Sequence, residues 1–271
     1  MANTDPQSNA PHHPKPDPDL NPKHRLTLAH FYPSLMNLYG DRGNIMALRA
    51  RCAARGIDLD VHAIEIGDPW NSEQTDIVFI GGGQDREQRR IHADLVGRAG
   101  PLRDYRDADG VTLAVCGGYQ MFGRSYRDID GEVMDGAGVF DIVSSHPGRR
   151  FQRCVGNVVA LWEDDTLVGF ENHGGRTYLN DGAQPLATVV AGFGNNGGDG
   201  TEGARTRNAF GTYLHGALLP KNPRLADRLL RLALARRYGD DALPPLDALP
   251  PPDDGAASRA HAEALHVGLG R

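Results

Sequence analysis

Two segments, DIVFIGGG at 76–83 and VTLAVCGG at 111–118, run a short apolar stretch straight into glycines. Neither alternates apolar with polar, so neither can leave one face to water; both predict strands of a parallel sheet covered by helices on both sides. Glycines at that point let the chain turn sharply at the carboxyl edge of the sheet, where open α/β sheets hold ligands. Further strand runs are LTLAHF (26–31), LDVHAI (59–64), VFDIV (139–143), CVGNVVAL (154–161), TLVGF (166–170), LATVVAGF (186–193) and AFGTYL (209–214). Helical periodicity covers 44–55, with Ile45, Leu48 and Cys52 on one face and Gly56 in stopping position, then 85–98 and 223–237. The order β-α-β-β-α-β, several strands and a last helix predicts an α/β sandwich of three layers. Its central sheet is mostly parallel, with an antiparallel excursion in the second half.

Residues 1–24 carry Pro6, Pro11, Pro14, Pro16, Pro18 and Pro22 with almost nothing apolar to bury, which predicts a disordered tail. His12 and His13 lie there without the further ligands a metal site needs. Residues 25–238 form the folded domain, and 239–271 a Pro- and Ala-rich tail with a short helix near 258–266. The net charge of −6 gives no general attraction to nucleic acid or anionic lipid. No stretch reaches the ~18 apolar residues of a membrane span. Three cysteines without a C-x-x-C spacing suit a reducing, cytoplasmic setting and suggest no metal.

The strand into Cys116, Gly117 and Gly118, followed by a helical pattern, has the layout of a nucleophile elbow. Helix-end N–H groups there stabilise a thiolate. Cys52 and Cys154 read as core residues. The Gly81–Gly83 loop ends the neighbouring strand, so the amides of Gly83 and Gly117 can form an oxyanion hole. A cysteine nucleophile needs an imidazole; His215, delivered by AFGTYLHG, is the first choice, with His173 in GFENHGG the competitor. Gln120, one turn past the cysteine, is a candidate for substrate contact, while Tyr119 packs.

Taken together, CGGYQMFG and YLHG resemble the class I glutamine amidotransferases, in their cobyric-acid-synthase-like branch. HFYPSLMNLYGDRGN (30–44), FIGGGQDREQ (79–88), GFENHGGRTYL (169–179), FGNN (193–196) and GTYLHGALLPKNP (211–223) are similar to the GatD family, the glutaminase subunits of lipid II isoglutaminyl synthases. The resemblance covers roughly 26–236. It implies a flavodoxin-like amidotransferase fold with Cys116 as nucleophile, His215 as base and acid, and Arg153 in RCVGN as the arginine that holds the substrate. Arg149 and Arg150 keep open the alternative of a solvated basic turn. The resemblance also implies L-glutamine as substrate and a MurT-like Mur ligase as partner in a heterodimer. That partner carries ATP and Mg²⁺ and amidates the α-carboxyl of D-glutamate in lipid II; no cofactor is expected on this chain. His215 lacks the family's following Glu, so its orienting group must be a backbone carbonyl or a carboxylate, the latter expected from the partner. A corrinoid or other acceptor, a non-catalytic scaffold and cysteine peptidase chemistry are the alternatives.

Overall fold

The structure, a computed structural model, describes residues 24–240 and 254–270. The His12–His13 pair and the rest of 1–23 lie outside them. The first half runs β1 (His24–Phe31), a 3₁₀ turn (Leu38–Gly40), α1 (Arg42–Ala53), β2 (Ile57–Ile64), β3 (Ile77–Ile80), α2 (Asp85–Gly97), α3 (Ala99–Asp107), β4 (Val111–Val115) and α4 (Gly117–Met121). Short strands follow: β5 (Ser125–Arg127), β6 (Val133–Asp135) and β7 (Ile142–Ser145). Next come the hairpin β8 (Cys154–Trp162) and β9 (Asp165–His173), then β10 (Arg176–Leu179), β11 (Ala187–Ala191), β12 (Thr201–Glu202), β13 (Ala204–Thr206) and β14 (Ala209–Thr212). The helices α5 (Leu218–Lys221), α6 (Pro223–Tyr238) and α7 (Gly255–Gly268) complete the described chain.

The central sheet has the order β13-β14-β4-β3-β1-β2. Five of its strands are mutually parallel and β13 joins antiparallel at the edge. All residues of β3 and β4 are buried, as their unbroken apolar runs require. The order β2-β1-β3-β4-β14 is doubly wound and reverses between β1 and β3, which places the ligand crevice beside those strand ends. Helices α1 and α6 pack together, as do α2, α3 and α4. Two four-stranded sheets, β10-β7-β5-β6 and β12-β11-β8-β9, form the excursion, which is antiparallel except where β5 and β7 pair parallel.

Three elements differ from the sequence reading. The helix expected over 85–98 is followed directly by α3, whose Pro101 sits in the first turn, where no intrahelical N–H is required. Only the end of VFDIV becomes strand: the backbone N–H of Phe140 bonds to the Phe122 carbonyl at 2.9 Å and draws the preceding residues into a loop. The expected C-terminal tail carries α7, longer than the short helix anticipated, and it packs on α5, β8 and β9. Among the described residues no helix is long and apolar enough to cross a membrane.

Candidate active site

At the carboxyl end of β4, Cys116 adopts φ 49° and ψ −108°. Side chains rarely occupy that region, and holding one there costs about 1–3 kcal/mol, so the surroundings must fix it. They do so through backbone. The N–H of Cys116 bonds to the Thr212 carbonyl at 2.8 Å, and that of Gly118 to the Gly81 carbonyl at 3.1 Å. A Cβ on Gly117 would stand 2.4 Å from the Gly83 carbonyl oxygen, and one on Gly118 2.7 Å from that of Gly81. Only glycines let α4 start this close to the loop after β3. The same contact brings the Gly83 and Gly117 backbones side by side at the start of a helix, where N–H groups lack intrahelical acceptors.

His215 follows β14 and is fully buried. Its N–H bonds to the Phe170 carbonyl at 2.7 Å, so β9 braces the loop that carries it. A Cβ on Gly82 would meet His215 Cε1 at 2.9 Å and Cys116 Cβ at 3.5 Å, so this glycine keeps the space between thiol and imidazole clear. A carboxylate of this chain also lies near the imidazole. Asp41 Oδ1 lies 3.6 Å from His215 Nδ1, with both side chains buried, and Asp41 Oδ2 accepts the Gly82 N–H at 2.6 Å. At 3.6 Å the link to the imidazole is electrostatic rather than a direct hydrogen bond. Burial alone would pull the imidazole down, but the Cys116 sulfur and the Asp41 carboxylate outweigh it and hold His215 up at about 10. A thiol, an imidazole and a carboxylate in this order can move a proton off sulfur and return it to a leaving group.

Cys116 opens into a cavity of about 520 Å³ whose lining includes Gly83, Gln120, Arg153, Asn172 and His173. Gln120 is held at both ends: its Oε1 accepts from Gln88 Nε2 at 2.9 Å and its Nε2 donates to Tyr213 Oη at 3.0 Å. Gln88 Nε2 also reaches the Gly117 carbonyl at 3.1 Å, tying the elbow to α2. Arg153 stands at the cavity mouth, donating from Nε to Asn172 Oδ1 at 3.0 Å and from Nη2 to the Asn172 carbonyl at 2.9 Å. Arg149 instead pairs with Asp130.

His173 lines the same cavity but stacks on Tyr213, with ring centroids 3.6 Å apart; its Nδ1 bonds to the Gly175 carbonyl and its Nε2 stands 3.3 Å from Glu171 Oε2. Tyr119 packs edge-on against Phe140 and Tyr213. Cys52 and Cys154 are buried, which pushes their thiols up to about 12 and about 11. Sequence reasoning missed Asp41 and Gln88. Asp41 lies in NLYGDRGN, yet nothing local links it to a histidine near the far end of the chain.

Residues 27–223 match the CobB/CobQ-like glutamine amidotransferase domain. The GatD subunit of a glutamine-hydrolysing lipid II isoglutaminyl synthase from Streptococcus pneumoniae is 40% identical over 82% of this chain and 86% of its own. The chain belongs to the GatD family of glutamine amidotransferases. The Staphylococcus aureus GatD subunit is 42% identical over 79% of this chain and 86% of its own. A probable cobyric acid synthase from Methanothermobacter thermautotrophicus is 34% identical over 59% of this chain and 33% of its own. Among solved structures, the glutaminase domain of Trypanosoma brucei CTPS superposes with a TM-score of 0.53 at 12% identity, covering 79% of this chain and 95% of that one. A PurLQS chain from Thermotoga maritima gives 0.53 at 14%, covering 78% and 97%. These two likenesses are of fold. The GatD-family chain is a glutamine amidotransferase with a mostly parallel central sheet, in line with the sequence reading.

Proposed function

We propose that the chain supplies ammonia, by hydrolysing L-glutamine, to a MurT-like Mur ligase subunit in a cytoplasmic heterodimer. That partner, with ATP and Mg²⁺, amidates the α-carboxyl of D-glutamate in lipid II. The observation that carries the glutaminase step is the convergence of Cys116, His215 and Asp41 beside the paired Gly83 and Gly117 backbones. His215 holds the Cys116 proton as an imidazolium, and the Sγ thiolate attacks the side-chain amide carbon. The N–H groups of Gly83 and Gly117 receive the developing oxyanion. The carbon–nitrogen bond breaks, His215 returns the proton to nitrogen, and ammonia leaves a glutamyl thioester. Water, deprotonated by His215, attacks that thioester; glutamate departs and the thiol is restored. Arg153, a forked cation at the cavity mouth, holds the α-carboxylate of glutamine.

Support for the lipid II acceptor comes from the two GatD relatives, both subunits of lipid II isoglutaminyl synthases and each matched over most of its length. The test is glutamate release by the purified chain and its Cys116→Ser variant, with and without the ligase subunit. Release that depends on Cys116 and yields amidated lipid II in the complex is expected. Release equal in Cys116→Ser would overturn the mechanism.

A further inference from the structure

The β8–β9 hairpin assembles a second cluster of reactive side chains. Cys154 pairs with His173 in register, and Glu171 lies two residues before His173 on the same strand face. A sulfur, a carboxylate oxygen and an imidazole nitrogen from these residues all lie within 4.8 Å of one another, and all three residues are buried.

The hydrogen bonds fix where the imidazole proton sits. His173 Nδ1 is 2.8 Å from the Gly175 carbonyl oxygen, and a carbonyl only accepts, so Nδ1 carries the hydrogen. In the neutral ring Nε2 then offers a lone pair, and what it faces at 3.3 Å is Glu171 Oε2. That carboxylate already accepts the N–H of Phe193 at 2.6 Å and of Gly194 at 3.0 Å. Two acceptors therefore confront each other in a buried place, and something positive must lie between them. A proton would serve, but it has no use for a third donor. The Cys154 sulfur on the same side is the donor a thiophilic divalent cation uses, and Cys, His and carboxylate together are a zinc set. The Nδ1–H to carbonyl bond is the outer contact that usually orients a metal-bound histidine. A water would complete the four-coordinate set that zinc prefers.

We propose that Cys154, Glu171 and His173 form a zinc(II) site that clamps the ends of β8 and β9. Binding replaces the thiol proton, which goes to solvent, with a sulfur–zinc bond; nothing is oxidised or reduced. Arg153 immediately precedes Cys154, and Asn172 immediately precedes His173, so the metal holds the two residues whose mutual hydrogen bonds shape the cavity mouth. No C-x-x-C spacing marks this site, because its ligands come from two strands.

The test uses the full chain carrying Cys116→Ser, which removes the competing thiol in the cavity. After equilibration with zinc chloride and gel filtration, elemental analysis should find about one zinc per chain, and Cys154→Ser or His173→Ala in the same background should weaken binding about 10-fold or more. Cobalt(II) should give a thiolate-to-metal absorption band in the parent and none in Cys154→Ser. Zinc should raise the melting temperature of the parent but not of Cys154→Ser, a comparison that keeps the test valid if the variant is less stable. A parent that retains no zinc, or a Cys154→Ser variant that retains as much, would overturn the site. NMR signals of a doubly protonated His173 in zinc-treated protein would do the same. In otherwise wild-type chain, stripping zinc should raise KM for glutamine. That arm rests on the glutaminase reading, whereas the metal counts stand without it.

Discussion

The Asp41 carboxylate stands 3.6 Å from Nδ1 of His215, inside the same chain and away from solvent. This fixed negative charge favours the imidazolium that forms when His215 takes a proton from sulfur. Asp41→Asn keeps an acceptor for the Gly82 N–H while removing the charge. Glutamate release should fall by about 10²- to 10⁴-fold with little change in KM. The His215 imidazole should also titrate lower than in the wild type, because one of the groups raising it is gone. An unchanged rate would show that another group orients His215.

Strain at Cys116 gives a prediction in which stability and activity part company. Glycine accepts φ 49° without a Cβ penalty, whereas serine inherits it. Cys116→Gly should be more stable than Cys116→Ser by about 1 kcal/mol in chemical denaturation, with neither releasing glutamate. Equal midpoints would mean that the elbow stores no strain.

Arg153 tests the anchoring of substrate. Lysine keeps the charge but loses the fork that bonds to both the Asn172 side chain and its carbonyl. Arg153→Lys should raise KM for glutamine about 10-fold and leave kcat within about a factor of two, the signature of lost uniform binding. A fall in kcat at constant KM would place Arg153 in the chemistry instead.

Glu202 predicts how stability follows pH. It is fully buried; burial raises its carboxyl to about 7 from an ordinary 4.5, although Thr212 Oγ1 and the Tyr213 N–H donate to it. A raised value means that the folded chain binds this proton more tightly than the unfolded one. Its contribution to stability is therefore complete below about 4.5 and is lost as pH rises through about 7. Thermal melts should show wild type declining between pH 5 and pH 8 relative to Glu202→Gln, which has no proton to lose there. Parallel curves for the two proteins would contradict the assignment.

The parts of the molecule legible in the sequence are those where local pattern and tertiary role coincide. β3 and β4 announce themselves because strands buried on both faces need unbroken apolar runs, and the Cys116 turn because its glycines have no other purpose. His215 and His173 were harder to separate, since each ends a strand before glycine. The distinction lies in neighbours from remote segments: Asp41 and Cys116 around one ring, Glu171, Gly175 and Tyr213 around the other. Asp41 itself was illegible because its role exists only once the loop after β1 is folded against the end of β14. The same applies to α7, whose Pro-rich approach hides a helix that gains its order from α5 and the β8–β9 hairpin.

Helix α7 has one more consequence, for the order of events during synthesis. The Arg51 guanidinium on α1 is buried between Asp227 and Asp254, bonding to each carboxylate at 2.6 Å across 176 and 203 residues of chain. A ribosome delivers Arg51 long before either acid, so early folding intermediates must keep that charge hydrated. The α1 side of the molecule therefore seals only once residue 254 has emerged, and nascent chains cut short before it leave the cation without one of its two carboxylates.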